Sequence, residues 1–425
     1  MEKDTAYQIS AANVRFGPGV TREVGMDLRD LGARRTLVLI DPALRAMSVA
    51  EAVFEALRAA QIAFEVFDRI AVEPTDRSFQ EAIAAATADS FDSFVAVGGG
   101  STLDTAKAAN LYATYPADFL DYVNAPIGRG LPVPGIVKPL IAIPTTAGTG
   151  SETTGVAIFD YLQNRAKTGI AHRYLKPSLG LVDPENTRSL PPAVAASTGL
   201  DVLSHALESY TAAPYDQRPR PARPLERPAY QGSNPISDIW AIRALELVNS
   251  YLLRAVRDPS DVEARGQMLL AAAMAGIGFG NAGVHLPHGM SYPVAGMVKS
   301  YRHPGYAVEH PLIPHGISVI LHTPAVVRFT APAAPERHLR AAAALGAPVK
   351  DALPEAAGEI LASRVTEMMR ALDLPNGLEA VGYTEADIPA LVEGTLPQHR
   401  VTKLSPIPVG REELSALFRA SMRIW

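Results

Sequence analysis

The first third of the chain alternates short apolar runs with stretches of helical spacing. Residues 36–40, 64–67, 94–97 and 140–143 are almost wholly apolar, while 49–60, 79–88 and 101–112 repeat apolar residues every three or four positions. An unbroken apolar run reads as a strand buried on both faces, and such strands separated by helices read as a parallel sheet covered on each side. The pattern predicts an α/β N-terminal doubly wound parallel-sheet domain over residues 1–183. Beyond residue 183 the texture changes. Segments 193–211, 237–256, 261–278, 341–345, 357–372 and 412–422 are rich in Ala and Leu at helical spacing. They predict an all-helical C-terminal domain over 184–425, joined by Pro- and Gly-rich loops. Residues 214–235 stand apart, with six prolines and four arginines (Arg218, Arg220, Arg223 and Arg227). That stretch reads as a solvated surface excursion or, alternatively, as a charged lid near an acidic substrate.

Composition narrows the function classes. With 425 residues, 48% hydrophobic and 20% charged, the chain has the balance of a two-domain globular enzyme and not of a disordered protein. Its 39 basic and 44 acidic residues give a net charge of -5, so a nucleic-acid partner is not expected. There is no cysteine, which removes disulfides, thiolate catalysis and iron–sulfur clusters. The first ten residues lack the apolar core of a secretory signal, and the most apolar stretch, 269–279, is short of the roughly 20 residues a bilayer span takes. No membrane partner and a cytoplasmic location are therefore expected, with the mitochondrial matrix, after removal of a leader, as the alternative.

Three groups of residues carry chemistry. Gly98, Gly99, Gly100 and Ser101 follow an apolar run and open a helix that holds Asp104 and Lys107. Glycines admit a pyrophosphate close to the backbone, and the amides at a helix start carry partial positive charge. The spacing is not that of GxGxxG, and a tight strand-to-helix turn would look the same. A second loop, residues 144–152 with Thr145, Thr146 and Thr149, also follows a strand-like run. Two such loops at the carboxyl ends of parallel strands converge on one crevice, which points to a nucleotide. Asp41, ending the first run, is placed to accept from an adenosine ribose and to repel a 2′-phosphate, favouring NAD over NADP.

The third group is a donor set for a metal. Asp201 and His205 lie four residues apart on one predicted helical face, and His285, His288 and His315 follow. A lone histidine is more often an ordinary hydrogen-bonded residue. One Asp with three His and no Cys suits a divalent first-row metal with coordination positions left open for substrate, Fe²⁺ or Zn²⁺. Spacing alone does not choose between His285 and His288.

Together, the Gly-Gly-Gly-Ser turn with Asp104 and Lys107, the Thr-Thr-Ala-Gly-Thr-Gly-Ser-Glu loop, Gly-Leu-Asp-x3-His-Ala-x-Glu, and the His-Gly-Met and Pro-His-Gly elements resemble the iron-containing alcohol dehydrogenases. The resemblance runs from about residue 10 to the C-terminus. It implies a dinucleotide-binding domain followed by a helical metal domain, with Fe²⁺ preferred over Zn²⁺. Carried across, the metal ligands are Asp201, His205, His288 and His315. The NAD positions are Asp41, Gly98, Gly99, Gly100, Ser101, Asp104, Thr145, Thr146, Thr149 and Lys167. The resemblance also implies a homo-oligomer.

Two departures stand out. Tyr292 occupies the place where most members carry a second histidine, and the interval between His288 and His315 is long. With the Pro/Arg-rich stretch and residues 230–240 and 394–403, these features are similar to the hydroxyacid-oxoacid transhydrogenase branch. That branch oxidises 4-hydroxybutyrate while reducing 2-oxoglutarate, with NAD staying bound. Tyr292 and His285 are then the candidates to relay the hydroxyl proton. Arg302, Lys299, Arg218, Arg220 and Arg223 are candidates to meet a substrate carboxylate. Competing readings are a conventional NAD-dependent dehydrogenase that releases NADH, a lyase of the dehydroquinate synthase type, and a non-catalytic binding protein.

Overall fold

The computed structural model describes residues 2–163, 166–306 and 308–425. The chain divides into two compact units: Ser10–Leu190, and Met1–Ile9 together with Pro191–Trp425.

The first unit is built on a parallel six-stranded sheet. Its strands are β1 (Val14–Phe16), β2 (Arg35–Ile40), β3 (Ala63–Phe67), β4 (Ser93–Gly98), β5 (Leu140–Pro144) and β8 (Leu179–Val182), in the order β1-β8-β5-β4-β2-β3. An antiparallel hairpin, β6 (Val156–Tyr161) with β7 (Ala166–Ala171), lies outside it. Helices α1 (Val24–Asp30), α2 (Ser48–Ala59), α3 (Asp76–Thr87) and α4 (Gly100–Thr114) complete the unit. The pleat sorts the apolar runs onto two faces. Val38, Ile40, Val95, Val97, Ile141 and Ile143 pack with α1 and α2, whereas Leu37, Leu39, Phe94, Ala96, Leu140 and Ala142 pack with α3 and α4. Both faces are therefore dry, which is why these strands read as continuous apolar runs. Truncating Phe94, wholly buried, to Ala would cost about 3–5 kcal/mol.

Strand order reverses between β2, whose chain moves outward to β3, and β4, whose chain moves on to β5. The carboxyl ends of these strands are tied side by side. The Asp41 amide donates to the Val97 carbonyl at 3.1 Å, and the Thr145 amide to the Gly98 carbonyl at 3.0 Å. Ligands of doubly wound sheets bind at such a reversal. Residues 184–190, beyond the 1–183 expected from the sequence, stay with this unit. The reason is local: the Asp183 carboxylate accepts the amides of Gly19 and Thr21 at 3.0 and 3.1 Å.

The second unit is helical. Helix α5 (Pro192–Thr211) packs against α6 (Pro235–Arg257) and α7 (Val262–Ala282). Gly199 permits the closest approach, since a Cβ there would stand 2.3 Å from a Leu252 methyl. Helix α8 (Leu286–Gly296) turns away from α7 by 104° after Gly283, whose φ of +94° suits glycine. Helix α9 (His315–Ile320) and further short helices to Ser421 follow. Among the described residues no single helix is long and apolar enough to cross a membrane. The first nine residues join this unit because Asp4 is clamped there, as described below.

Candidate functional site

Helix α5 is buried almost all round from Ala195 to Thr211, so its polar residues face the protein interior. Asp201, His205 and Glu208 fall at i, i+4 and i+7, one stripe of the helix. Against that stripe come His288 from α8 and His315 from the start of α9. The ligand-capable atoms of Asp201, His288 and His315 all lie within 4.8 Å of one another. Both His288 Nε2 and His315 Nε2 approach Asp201 Oδ1, at 3.7 and 3.8 Å. His205 flanks this trio. Its Nδ1 is 3.7 Å from Asp201 Oδ2, and its ring lies between Phe279 and His288, with centroid separations of 4.0 and 4.6 Å.

Electrostatics set the protonation states. Burial pushes the His205 imidazole well below its usual range, and the neighbouring His288 and His315 push the same way. Burial would also neutralise His288, but Glu208 and Asp201 outweigh it and raise its proton affinity. Glu208 Oε1 stands 2.6 Å from His288 Nδ1, while its Oε2 accepts the His285 amide at 2.7 Å. With Nδ1 directed at Glu208, His288 turns Nε2 towards Asp201. His205 Nδ1 and His288 Nε2 are buried and have no hydrogen-bond partner among the described residues. Buried polar atoms are ordinarily satisfied. A cation held among one carboxylate and neutral imidazoles would satisfy these, so the donor set fits a divalent first-row metal.

The structure separates His285 from this group. Its Nε2 is 3.0 Å from the Thr211 hydroxyl, and burial pushes its pKa down to about 4, with Glu208 opposing. Tyr292 lies one turn beyond His288 on α8, and its hydroxyl accepts from Arg400 Nη2 at 3.2 Å. Glu208 and Arg400 are functional candidates that sequence reasoning left without a role. Glu208 had a signal, three residues after His205 in the Gly-Leu-Asp motif. Arg400 had only its place in the 394–403 segment.

In the first unit the glycine turn and the threonine loop meet. A Cβ on Gly100 would stand 2.5 Å from a Thr149 methyl, and one on Gly99 would stand 3.1 Å from Thr146. Asp41 Oδ1 accepts the Ala43 amide at 2.8 Å, closing a short turn after β2. Ser101 accepts the Glu73 amide at 3.2 Å, and the Thr149 hydroxyl accepts the Ser151 amide at 3.2 Å. Asp104 turns inward, accepting from the Ser151 hydroxyl and from the Ile158 amide at 2.9 Å. It braces α4 against the loop. Lys167 Nζ is buried between Glu73 and Asp160, at 2.6 and 3.1 Å. Burial alone would discharge it, but the two carboxylates hold it protonated.

Of the basic candidates for a substrate carboxylate, Arg302 and Arg223 are exposed, and Arg218, Arg220 and Lys299 have other partners. Arg218 Nη2 and Arg227 Nε reach the buried carboxylate of Asp4 at 2.7 and 2.9 Å, and Arg220 pairs with Glu2. Lys299 pairs with Asp387 at 2.6 Å. Residues 214–235 are thus fastened to the N-terminal segment through Asp4, which neither of the two expectations for that stretch foresaw.

Comparison with known proteins agrees with this reading of the two units. Residues 11–184 match the family described as "Iron-containing alcohol dehydrogenase", and residues 226–422 match "Fe-containing alcohol dehydrogenase family, C-terminal". The chain is 57% identical over 424 residues to the proteins of Bos taurus and Homo sapiens named "Hydroxyacid-oxoacid transhydrogenase, mitochondrial", covering 99% of this chain and 91% of each relative. A Dictyostelium discoideum relative, named as a probable transhydrogenase of the same kind, is 52% identical and is covered to 80% of its length. Among solved structures, a 1,3-propanediol oxidoreductase superposes with a TM-score of 0.85 at 26% identity, over 98% of this chain and 100% of that one. The NAD+ complex of sulfoacetaldehyde reductase from Bifidobacterium kashiwanohense superposes at 0.81 and 26%, over 99% and 100%. These matches span nearly the whole chain and both of its units: the protein belongs to the iron-containing alcohol dehydrogenase family, whose members bind a divalent metal and NAD(H).

Proposed function

We propose that this protein is a hydroxyacid-oxoacid transhydrogenase, taking hydride from a 4-hydroxybutyrate-like hydroxyacid and delivering it to a 2-oxoglutarate-like oxoacid through bound NAD. The observation that carries the reading is the 57% identity to named transhydrogenases over 99% of the chain, against 26% to the structurally similar alcohol dehydrogenases. In this reading Asp201, His205, His288 and His315 hold a divalent metal, with Fe²⁺ preferred. When bound, such a cation acts as a Lewis acid that stabilises a developing alkoxide and polarises a carbonyl, while NAD stores the hydride between half-reactions.

The protein's own groups do the remaining work. Glu208 orients His288, and Asp201 contributes the single negative charge. Gly98, Gly99, Gly100, Ser101, Thr145, Thr146 and Thr149 cradle the dinucleotide, and Asp41 receives its ribose. Asp104 and Lys167 act one step back: Asp104 fixes the loop at Ser151, and Lys167 joins β7 to Glu73 and to β6 through Asp160. The hydroxyl proton leaves through Tyr292 or His285. The His285 Nε2 is engaged by the Thr211 hydroxyl, and the Tyr292 hydroxyl accepts from Arg400.

Assembly as a homo-oligomer belongs to the same proposal. So does residence in the mitochondrial matrix, favoured over the cytoplasm by the relatives' names. The test is an assay of metallated protein carrying its copurified NAD, given hydroxyacid and oxoacid with no cofactor added. Stoichiometric exchange of hydride over many turnovers supports the proposal. Turnover only with added NAD, and with NADH released, supports the conventional dehydrogenase instead.

A further inference from the structure

Among the described residues, Arg400 is a cation without a counter-ion. It lies on the short helix His399–Thr402, and its surroundings are phenols: the Tyr292 hydroxyl at 3.2 Å and the face of Tyr230, 5.0 Å from the guanidinium carbon. Its Nη1 is shut off from solvent and has no hydrogen-bond partner among the described residues. Among the described residues no carboxylate comes within ion-pair distance of it. A buried guanidinium nitrogen ordinarily has a carboxylate, a phosphate or another acceptor. Several basic residues of the segments peculiar to this chain do have them: Arg218 and Arg227 share Asp4, and Lys299 has Asp387, while Arg223 and Arg302 are exposed.

Its position gives the missing anion a place. Tyr292, which it contacts, stands four residues after His288 on α8, an axial rise of about 6 Å. Tyr230 leans edge-on to Phe279, whose ring stacks on His205. Gly289, next to His288, lies against Val401 and Thr402, the neighbours of Arg400. The guanidinium therefore contacts a residue one helical turn beyond His288, with Nη1 still to be satisfied.

We infer that Arg400 is the specificity residue that binds the substrate carboxylate remote from the reacting carbon, with Tyr292 and Tyr230 holding its guanidinium in place. This inference rests on the proposed substrate class. It also explains how one site serves two half-reactions. In 4-hydroxybutyrate the carbinol carbon and the carboxylate carbon are separated by three carbon–carbon bonds, and in 2-oxoglutarate the keto carbon and the distal carboxylate carbon are separated by the same number. One fixed cation meets both acids while the reacting carbon returns to the same point. A planar fork suits a carboxylate where a lysine would not.

The test compares wild type with Arg400→Gln and Arg400→Lys in the metallated, NAD-loaded protein, using 4-hydroxybutyrate, 2-oxoglutarate and the neutral butan-1-ol. A second readout is the rise in Tm on adding glutarate, an unreactive dicarboxylate. The expected result is that KM for both acids rises on the order of 100-fold in Arg400→Gln, at least ten times more than KM for butan-1-ol. Arg400→Lys is expected to recover only part of this, and glutarate is expected to raise Tm in wild type alone. Equal losses on acid and alcohol, or an unchanged KM for the acids with glutarate still stabilising the variant, overturn the role of Arg400 and leave the transhydrogenase reading standing. A wild type that turns over butan-1-ol but neither acid overturns both.

Discussion

Glu208 Oε1 approaches His288 Nδ1 to 2.6 Å, and the other oxygen of the same carboxylate accepts the His285 amide. One side chain thus fixes both the tautomer of a proposed ligand and the backbone at the start of α8. Partners of this kind are worth about 10–100-fold in metal affinity. Glu208→Gln is expected to weaken Fe²⁺ or Zn²⁺ binding by that factor, read by competition against a chromophoric chelator. Unaltered affinity would reduce Glu208 to a structural brace.

The Thr149 methyl stands where a side chain on Gly100 would have to go. Gly100→Ala should push the two loops apart and raise the Kd for NAD at least tenfold, measured by calorimetry, while metal content stays at the wild-type level. A variant that binds NAD normally would place the cofactor elsewhere.

The proton relay separates from substrate recognition by kinetics. Tyr292→Phe is expected to lower kcat about 10²-fold or more for acids and for butan-1-ol alike, with metal retained, because general acid–base help is lost whatever the substrate. If only the acids suffer, Tyr292 acts through Arg400 alone. If neither suffers and His285→Asn does, the relay is His285.

Burial raises the Glu152 carboxyl to about 7, with Lys107 opposing. The folded state therefore holds a proton that the unfolded chain has lost above its own carboxyl pKa. Stability from this group is full at low pH and drains away as pH rises towards and through about 7. The total is up to about 3 kcal/mol by the usual conversion. Glu152→Gln cannot titrate, so its Tm should gain on that of wild type between pH 5 and pH 8. Parallel Tm curves would show that Glu152 is ionised throughout.

Asp4 is 1% exposed and takes hydrogen bonds from both Arg218 and Arg227. Arg227 and Arg218 hold its carboxyl far below the usual range against the opposing effect of burial. Asp4→Asn removes the charge and leaves two guanidiniums facing a neutral amide, a loss of about 3 kcal/mol. Limited proteolysis should then cut within residues 214–235 faster than in wild type. Equal rates would show the stretch is held by other contacts.

Much of the chemistry was legible because the relevant signals are local. The runs at 36–40, 64–67, 94–97 and 140–143 became β2 to β5 within a residue or two of the expected ends: β2, β4 and β5, dry on both faces, must be apolar throughout, while the edge strand β3 tolerates the exposed Glu65. The glycine turn and the threonine loop were readable for a similar reason: close backbone approach and exposed hydroxyls each demand particular residue types at consecutive positions. Strand β1, three residues long with Phe16 exposed, carried no such signature. Neither did the hairpin β6–β7, whose Asp160 and Lys167 make sense only once they face each other across the ladder.

The sequence alone set the residue types: an aspartate, histidines without cysteine, and the periodicities that define a sheet followed by helices. Folding decided which atoms meet. Whether His285 or His288 joins Asp201 depends on the 104° turn at Gly283, because two histidines three apart project differently once the helix starts between them. The fates of Arg218, Arg227 and Arg400 were settled the same way. Coulomb and hydrogen-bond partners are chosen by proximity across one hundred to more than two hundred residues of chain. Only the tertiary structure shows that two of these arginines share Asp4 while the third faces tyrosines with no anion beside it.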